Sequence, residues 1–216
     1  MLDLLFIGAP FTAAINRLWA SDQMSESRLT IFGASHAMRY LIFVIGACAL
    51  VAAAAPSSSI VHVKGVHLCC GGCLGIADDA LSEVDGVSKI SSDLNTKVIT
   101  FTVADKKAAE AGIKALAKAG FFGTATLDKK PLKYPESGAK KGQKSNTFVL
   151  QGVHLCCTSC VTASQKALEN LDGVTLIDID RNEKTIKLTG SSIGIPEAVA
   201  ALNKAGFYSR ISQQKK

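Results

Sequence analysis

A chain of 216 residues with a net charge of +6 has room for one or two small domains. The excess charge is local. Residues 57–126 balance seven Lys against seven Asp or Glu, residues 127–146 carry six Lys against Asp128 and Glu136, and Lys215 and Lys216 end the chain; this marks a solvated linker and tail rather than a polyanion-binding face. Six of the seven cysteines form two tight triplets, which excludes a framework of scattered disulfide staples and points to metal or redox sites.

In chain order, residues 1–37 show no clear period and precede a competent start at Met38. From Met38 to Ser59 the sequence "MRYLIFVIGACALVAAAAPSSS" has one Arg, an apolar run and then alanines. That is the pattern of a secretory signal over about residues 38–55. The uninterrupted apolar and alanine run, Tyr40–Ala55, is 16 residues, short of the roughly 20 that span a bilayer. Export to the periplasm or the extracellular space is the expectation, with no stable membrane span in the mature form. An uncleaved anchor and a lipoprotein box with Cys48 as the lipidated residue are the alternatives.

Two copies of one pattern follow. "GVHLCCGGC" (Gly65–Cys73) returns as "GVHLCCTSC" (Gly152–Cys160), and "KAGF" occurs at Lys118–Phe121 and at Lys204–Phe207. A fixed-offset repeat indicates duplicated units. In each copy a period-2 strand precedes the cluster. A helix-spaced set follows it: Cys73, Ala77, Ala80, Leu81 and Val84 in one copy, Cys160, Ser164, Ala167, Leu168 and Leu171 in the other. Asp85-Gly86 and Asp172-Gly173 offer left-handed helix stops. Two further strands are joined by polar turns, then comes a second helix, then a last strand expected to start at Phe121 and at Phe207. The order is β-α-β-β-α-β, twice. The predicted fold class is α/β, two ferredoxin-like α+β sandwiches in tandem: a leader over residues 1–57, domains over 58–127 and 146–216, and a flexible Lys/Pro/Gly tether over 128–145.

Each cluster lies between the first strand and the first helix. Cys70 falls in the loop and Cys73 in the first helical turn, with Cys157 and Cys160 as counterparts. A helix N-terminus favours a thiolate, and two thiolates one turn apart suit a soft ion such as Cu(I), Zn(II) or Hg(II). Cys69, Cys156, His67 and His154 are possible additional ligands, and three thiolates with an imidazole can form a tetrahedral zinc site. Cys69 adjoins Cys70, so in an extended loop its side chain is expected to point the other way. A thiol–disulfide redox protein is the alternative, and so is oxidation of the triplets to inert disulfides. An RNA-recognition module shares the element order but needs aromatics on its central strands. "IVHVKGV" has none and "KVITFTV" has only Phe101, so no nucleic-acid partner is expected.

The element order, the C-x-x-C, the "DGV" and the "AGF" together resemble heavy-metal-associated domains. That family includes copper chaperones, domains of copper-transporting ATPases and the periplasmic mercury-binding protein. The resemblance covers residues 58–127 and 146–212. It implies metal ligands at Cys70, Cys73, Cys157 and Cys160, and an aromatic beside the metal loop at Phe121 and Phe207. It also implies one ion per domain, Cu(I) favoured, a non-catalytic role as metallochaperone, scavenger or buffer, and a metal transporter or metalloprotein acceptor as partner. Gly65 to Cys70 is five steps where the family has three, so the loop is longer and carries His67 and Cys69 as extras.

Overall fold

The computed structural model describes residues 58–212. The leader, with its proposed signal and Cys48, lies outside them. The first repeat contains β1 (Ser59–Lys64), α1 (Gly71–Ser82), β2 (Val87–Asp93), β3 (Val98–Val103), α2 (Lys106–Lys118) and β4 (Thr124–Leu127). A short β5 (Lys130–Pro131) follows. The second repeat contains β6 (Lys144–Gln151), α3 (Thr158–Leu168), β7 (Val174–Asp180), β8 (Thr185–Gly194), α4 (Ile195–Lys204) and β9 (Arg210–Ile211). The sheets are antiparallel in the orders β2-β3-β1-β4-β5 and β7-β8-β6-β9. The fold is α+β, two ferredoxin-like units in tandem, as expected.

The local chemistry repeats as well. Val61 and Val63 of β1 and Ile99, Phe101 and Val103 of β3 are buried at alternate positions, the period-2 pattern of a sheet covered on one face. Helices cover that face. Gly112 of α2 is seated on Phe101, where an added Cβ would lie 2.7 Å from the ring. Asp105 caps α2 by accepting from the Ala108 amide at 2.7 Å. Asp93 and Asp180 each close a β-turn by accepting from the amide two residues on, at 2.7 and 2.8 Å. The first helices end at Ser82 and Leu168, a few residues before Gly86 and Gly173, which take φ of +79° and +81° in the following turn.

Two expectations are corrected. Residues 128–145, expected to be a flexible tether, form a packed strap. Leu132 donates its amide to the Ala125 carbonyl at 2.9 Å, Tyr134 packs on Phe122 with ring centroids 4.6 Å apart, and the Ser137 and Gln143 carbonyls accept from Ile211 and Ile195 at 2.8 and 2.9 Å. Aromatic and aliphatic side chains inside the Lys-rich run have apolar surface to bury, and they bury it between the repeats. The last strands begin at Thr124 and Arg210 rather than at the phenylalanines. Phe121 and Phe207 instead pair with each other in an isolated antiparallel bridge.

Candidate metal centre

The loop from β1 to α1 is extended, and its alternation sorts its side chains. Val66 and Leu68 are buried in the first repeat's loop, and Val153 and Leu155 in the second's. The intervening His67 and Cys69, with His154 and Cys156, are therefore turned the other way, toward the opposite repeat. The two extra residues of the longer loop thus give each repeat two side chains facing its neighbour. Basic side chains from the β2–β3 and β7–β8 turns hold the loops. Lys97 donates to the Leu68 carbonyl, and Arg181 donates to the carbonyls of Leu155 and Cys156 at 3.4 and 2.8 Å.

The repeats meet through the two "AGF" segments. Gly120 and Gly206 take φ of +86° and +89°, a region open to glycine. They also touch backbone: a Cβ on Gly120 would lie 2.6 Å from the Gly152 carbonyl oxygen and overlap the His154 amide, and one on Gly206 would lie 2.8 Å from the Gly65 oxygen and overlap the His67 amide. The Gly206 carbonyl accepts from His67 and Phe122 at 3.3 and 3.1 Å, and the Gly120 carbonyl accepts from Tyr208 at 2.9 Å. Each histidine stacks on the other repeat's phenylalanine. His67 lies 4.3 Å from Phe207, and His154 lies 4.1 Å from Phe121, centroid to centroid. The aromatics placed beside the metal loops by family resemblance thus brace the opposite loop.

This crossing brings all six cysteines into one cluster. Within the first repeat, Cys73 Sγ lies 3.5 Å from Cys69 Sγ and 3.8 Å from Cys70 Sγ. Within the second, Cys160 Sγ lies 3.6 Å from both Cys156 and Cys157. Across the interface the separations are as short: Cys69 to Cys157 3.4 Å, Cys69 to Cys160 3.6 Å, Cys73 to Cys156 3.6 Å and Cys73 to Cys160 3.9 Å. Cys69, expected to point away, faces the cluster because Val66 and Leu68 take the buried alternate positions of the loop, while Cys70 is the N-cap of α1. His154 Nε2 lies 3.4 Å from Cys73 Sγ. His67 Nε2 is buried and has no hydrogen-bond partner among the described residues. Sets of donor atoms close enough to hold an ion are Cys73, His154, Cys156 and Cys160; His67, Cys69 and Cys160; and Cys69, Cys70 and Cys157.

Helices α1 and α3 both begin at the cluster, so two positive dipole ends converge on it. Amide N–H groups of α3, that of Cys160 first, hold Cys157 at about 6, well below the usual thiol value. Burial pushes Cys73 up, but amides of Cys69 and Cys70 and the thiols of Cys69 and Cys156 donate to it and bring it below the usual value. Burial, then donation toward Cys73, pushes Cys156 up to about 12. Cys69 and Cys160 are raised as well, burial again being the largest cause. Burial lowers both histidines. It takes His154 to about 4 with help from the charge of His67, and His67 is further lowered by Lys97. Neutral imidazoles beside thiolates are the protonation states a soft ion requires.

No family model matches the chain. Solved structures match it over one repeat or both. One, described as "Crosstalk between Cu(I) and Zn(II) homeostasis", is 21% identical over 32% of this chain and 100% of its own, with a TM-score of 0.28. Oxidized MerP from Ralstonia metallidurans CH34 is 20% identical over 33% of this chain and 100% of its own, TM-score 0.30. The N-terminal soluble domains of Bacillus subtilis CopA are 15% identical over 73% of this chain and 96% of their own, TM-score 0.27. With TM-scores of 0.27–0.30, these superpositions carry no conclusion about this chain. What sequence reasoning missed is the joining of the two clusters. The only signal available was the insertion of His67 and Cys69 at one offset in both copies.

Proposed function

We propose that this chain is an exported soft-metal-binding protein that takes its cargo ion, Cu(I), Zn(II) or Hg(II), with thiolates of both repeats at one shared centre. The observation that carries this reading is the 3.9 Å separation of Cys73 and Cys160, two fully buried thiols from different repeats. Sulfurs at that spacing bind one ion at ordinary metal–thiolate bond lengths, since a tetrahedron with bonds of about 2.3 Å has edges of about 3.8 Å. Cys70, Cys73, Cys157 and Cys160 are assigned as ligands by resemblance, and Cys69, Cys156, His67 and His154 by position. The role is scavenging, buffering or hand-over to a transporter or metalloprotein acceptor rather than catalysis. Cys70 and Cys157, partly exposed at the two helix starts, are the sulfurs an acceptor's thiols can reach.

The test is an anaerobic titration of the reduced chain with Cu(I), Zn(II) and Hg(II) against competing chelators. Tight binding that is lost in a variant with the six cysteines of the two triplets replaced by serine supports the reading, and failure to compete with any chelator sinks it. Export rests on residues 38–55. Protein from the native host is expected to begin near Ala54–Ser57, and an intact residue 1–37 segment rules that out. Thiol–disulfide exchange has one observation in its favour, Cys157 at the N-cap of α3 with its Sγ 3.6 Å from that of buried Cys160. Reduction of an insulin disulfide by the dithiol form at a rate abolished in Cys157→Ser is its requirement.

A further inference from the structure

The repeat symmetry does more than place six sulfurs together. An offset of 87 residues exchanges His67 with His154, Cys69 with Cys156 and Cys73 with Cys160. One set of donors is Cys73, Cys156, Cys160 and His154, with sulfur separations of 3.6, 3.9 and 3.6 Å and the imidazole Nε2 3.4 Å from Cys73. Its symmetry mate is Cys160, Cys69, Cys73 and His67. There the sulfurs are 3.6, 3.5 and 3.9 Å apart, and a ring nitrogen of His67 is within 4.8 Å of Cys69 and Cys160. The first set is three thiols and one imidazole mutually within reach; in the second, His67, Cys69 and Cys160 are mutually within reach, and Cys73 joins them through its sulfur contacts to Cys69 and Cys160. Both contain the same pair, Cys73 and Cys160.

We infer that the centre is dinuclear: two ions share the Cys73 and Cys160 sulfurs as bridges, each completed by one terminal thiolate (Cys156 or Cys69) and one imidazole (His154 or His67). This rests on the soft-metal reading above and goes beyond it in number of ions, ligand set and charge. Two tetrahedra sharing one edge need that edge, and the four other sulfur separations, near 3.8 Å for bonds of about 2.3 Å; the five are 3.5–3.9 Å. Charge selects the ion. Four thiolates and two neutral imidazoles carry −4, which two divalent ions cancel and two monovalent ions leave at −2. The bridging sulfurs are fully buried, and burying net charge is costly. A pair of divalent thiophilic ions, Zn(II) in class, is therefore the favoured occupant. The buried Nε2 of His67, without a hydrogen-bond partner among the described residues, then has an ion as its partner. The ring of His154 is positioned by its stacking on Phe121, 4.1 Å centroid to centroid, with Nε2 3.4 Å from Cys73 Sγ. Cys70 and Cys157, the first cysteines of each C-x-x-C, lie outside both sets, the reverse of what family resemblance assigns them.

Native mass spectrometry of the reduced full chain with Cd(II), a spectroscopically convenient thiophilic divalent ion, decides it. The expected result is a two-ion species that appears while metal-free protein remains, with little one-ion species between. Cys73→Ser is expected to lose both tightly held ions and to cost far more affinity than Cys70→Ser, while His67→Gln and His154→Gln each weaken binding at least ten-fold. One full-affinity ion surviving in Cys73→Ser, or equal losses in Cys70→Ser and Cys73→Ser, overturns the dinuclear centre and leaves a soft-metal site in each repeat. Absence of any Cd(II) binding overturns the soft-metal reading along with it. Should Cys73→Ser not fold, Co(II) titration of the unaltered chain serves. Spin coupling through shared sulfurs keeps the paramagnetic resonance signal weak from the first equivalent, whereas a signal that grows linearly to two equivalents means separate sites.

Discussion

Replacing Gly120 by alanine tests whether the repeats are held together as described. Two effects act at this position. The residue has φ of +86°, where an L side chain costs about 1–2 kcal/mol, partly offset by a gain of about 0.4–1 kcal/mol from a stiffer unfolded chain. The new Cβ also lies 2.6 Å from the Gly152 oxygen and overlaps the His154 amide. Both obstacles are backbone, so relief comes only by moving one repeat off the other, and overpacking of this kind costs about 1–3 kcal/mol. Gly142 supplies the control. Its φ is +74°, and nothing lies within 4 Å of its Cβ position, so Gly142→Ala carries the backbone effect alone. Urea unfolding of the reduced, metal-free protein should show Gly142→Ala within about 1 kcal/mol of the unaltered chain and Gly120→Ala weaker by about 2–4 kcal/mol. Metal affinity should fall at least ten-fold in Gly120→Ala and hold in Gly142→Ala. Equal destabilisation by the two substitutions, with metal affinity unchanged in both, refutes the docking of Gly120 on the His154 loop.

Three further outcomes follow from particular residues. His154 titrates near 6.5 when unfolded and at about 4 when folded; the unfolded chain binds the proton more tightly. Stability of the metal-free protein is therefore full above pH 6.5 and falls as pH drops toward about 4, by up to about 1.4 kcal/mol per pH unit; acid unfolding of His154→Gln should lack part of this slope. Cys157, held at about 6, should be the first cysteine alkylated by sub-stoichiometric iodoacetamide at pH 7, read by peptide mass spectrometry, and first labelling at Cys156, which stands at about 12, contradicts that assignment. Tyr134→Ala removes the strap's contact with Phe122 and should accelerate tryptic cleavage at the exposed lysines 129–144 several-fold, whereas an unchanged rate means the strap is not held by that ring.

How much of this was legible in the sequence depends on the range of the interactions. The tandem β-α-β-β-α-β order was readable because local periodicity and the duplicated landmarks agree. The placement of Cys70 and Cys73 at a helix start followed from one turn of spacing. The direction of Cys69 was not readable: it depends on which alternate positions the core takes, and Val66 and Leu68 take them. The strap was misread because six lysines outweigh Leu132 and Tyr134 in composition, yet those two decide whether the segment packs. The roles of Phe121 and Phe207 were half legible. Their place beside a metal loop was expected, but the loop each braces belongs to the other repeat, and pairing between copies leaves no local trace.

A proton–cadmium correlation spectrum of the reduced full chain loaded with 113Cd(II) observes the sharing of ions between repeats directly. Coupling through metal–sulfur bonds marks each cysteine whose sulfur binds a given ion. If the centre lies between the repeats, at least one cadmium resonance correlates with Hβ protons of both Cys73 and Cys160. If every cadmium resonance correlates only with cysteines 69–73 or only with cysteines 156–160, the repeats bind metal separately and the shared centre is contradicted.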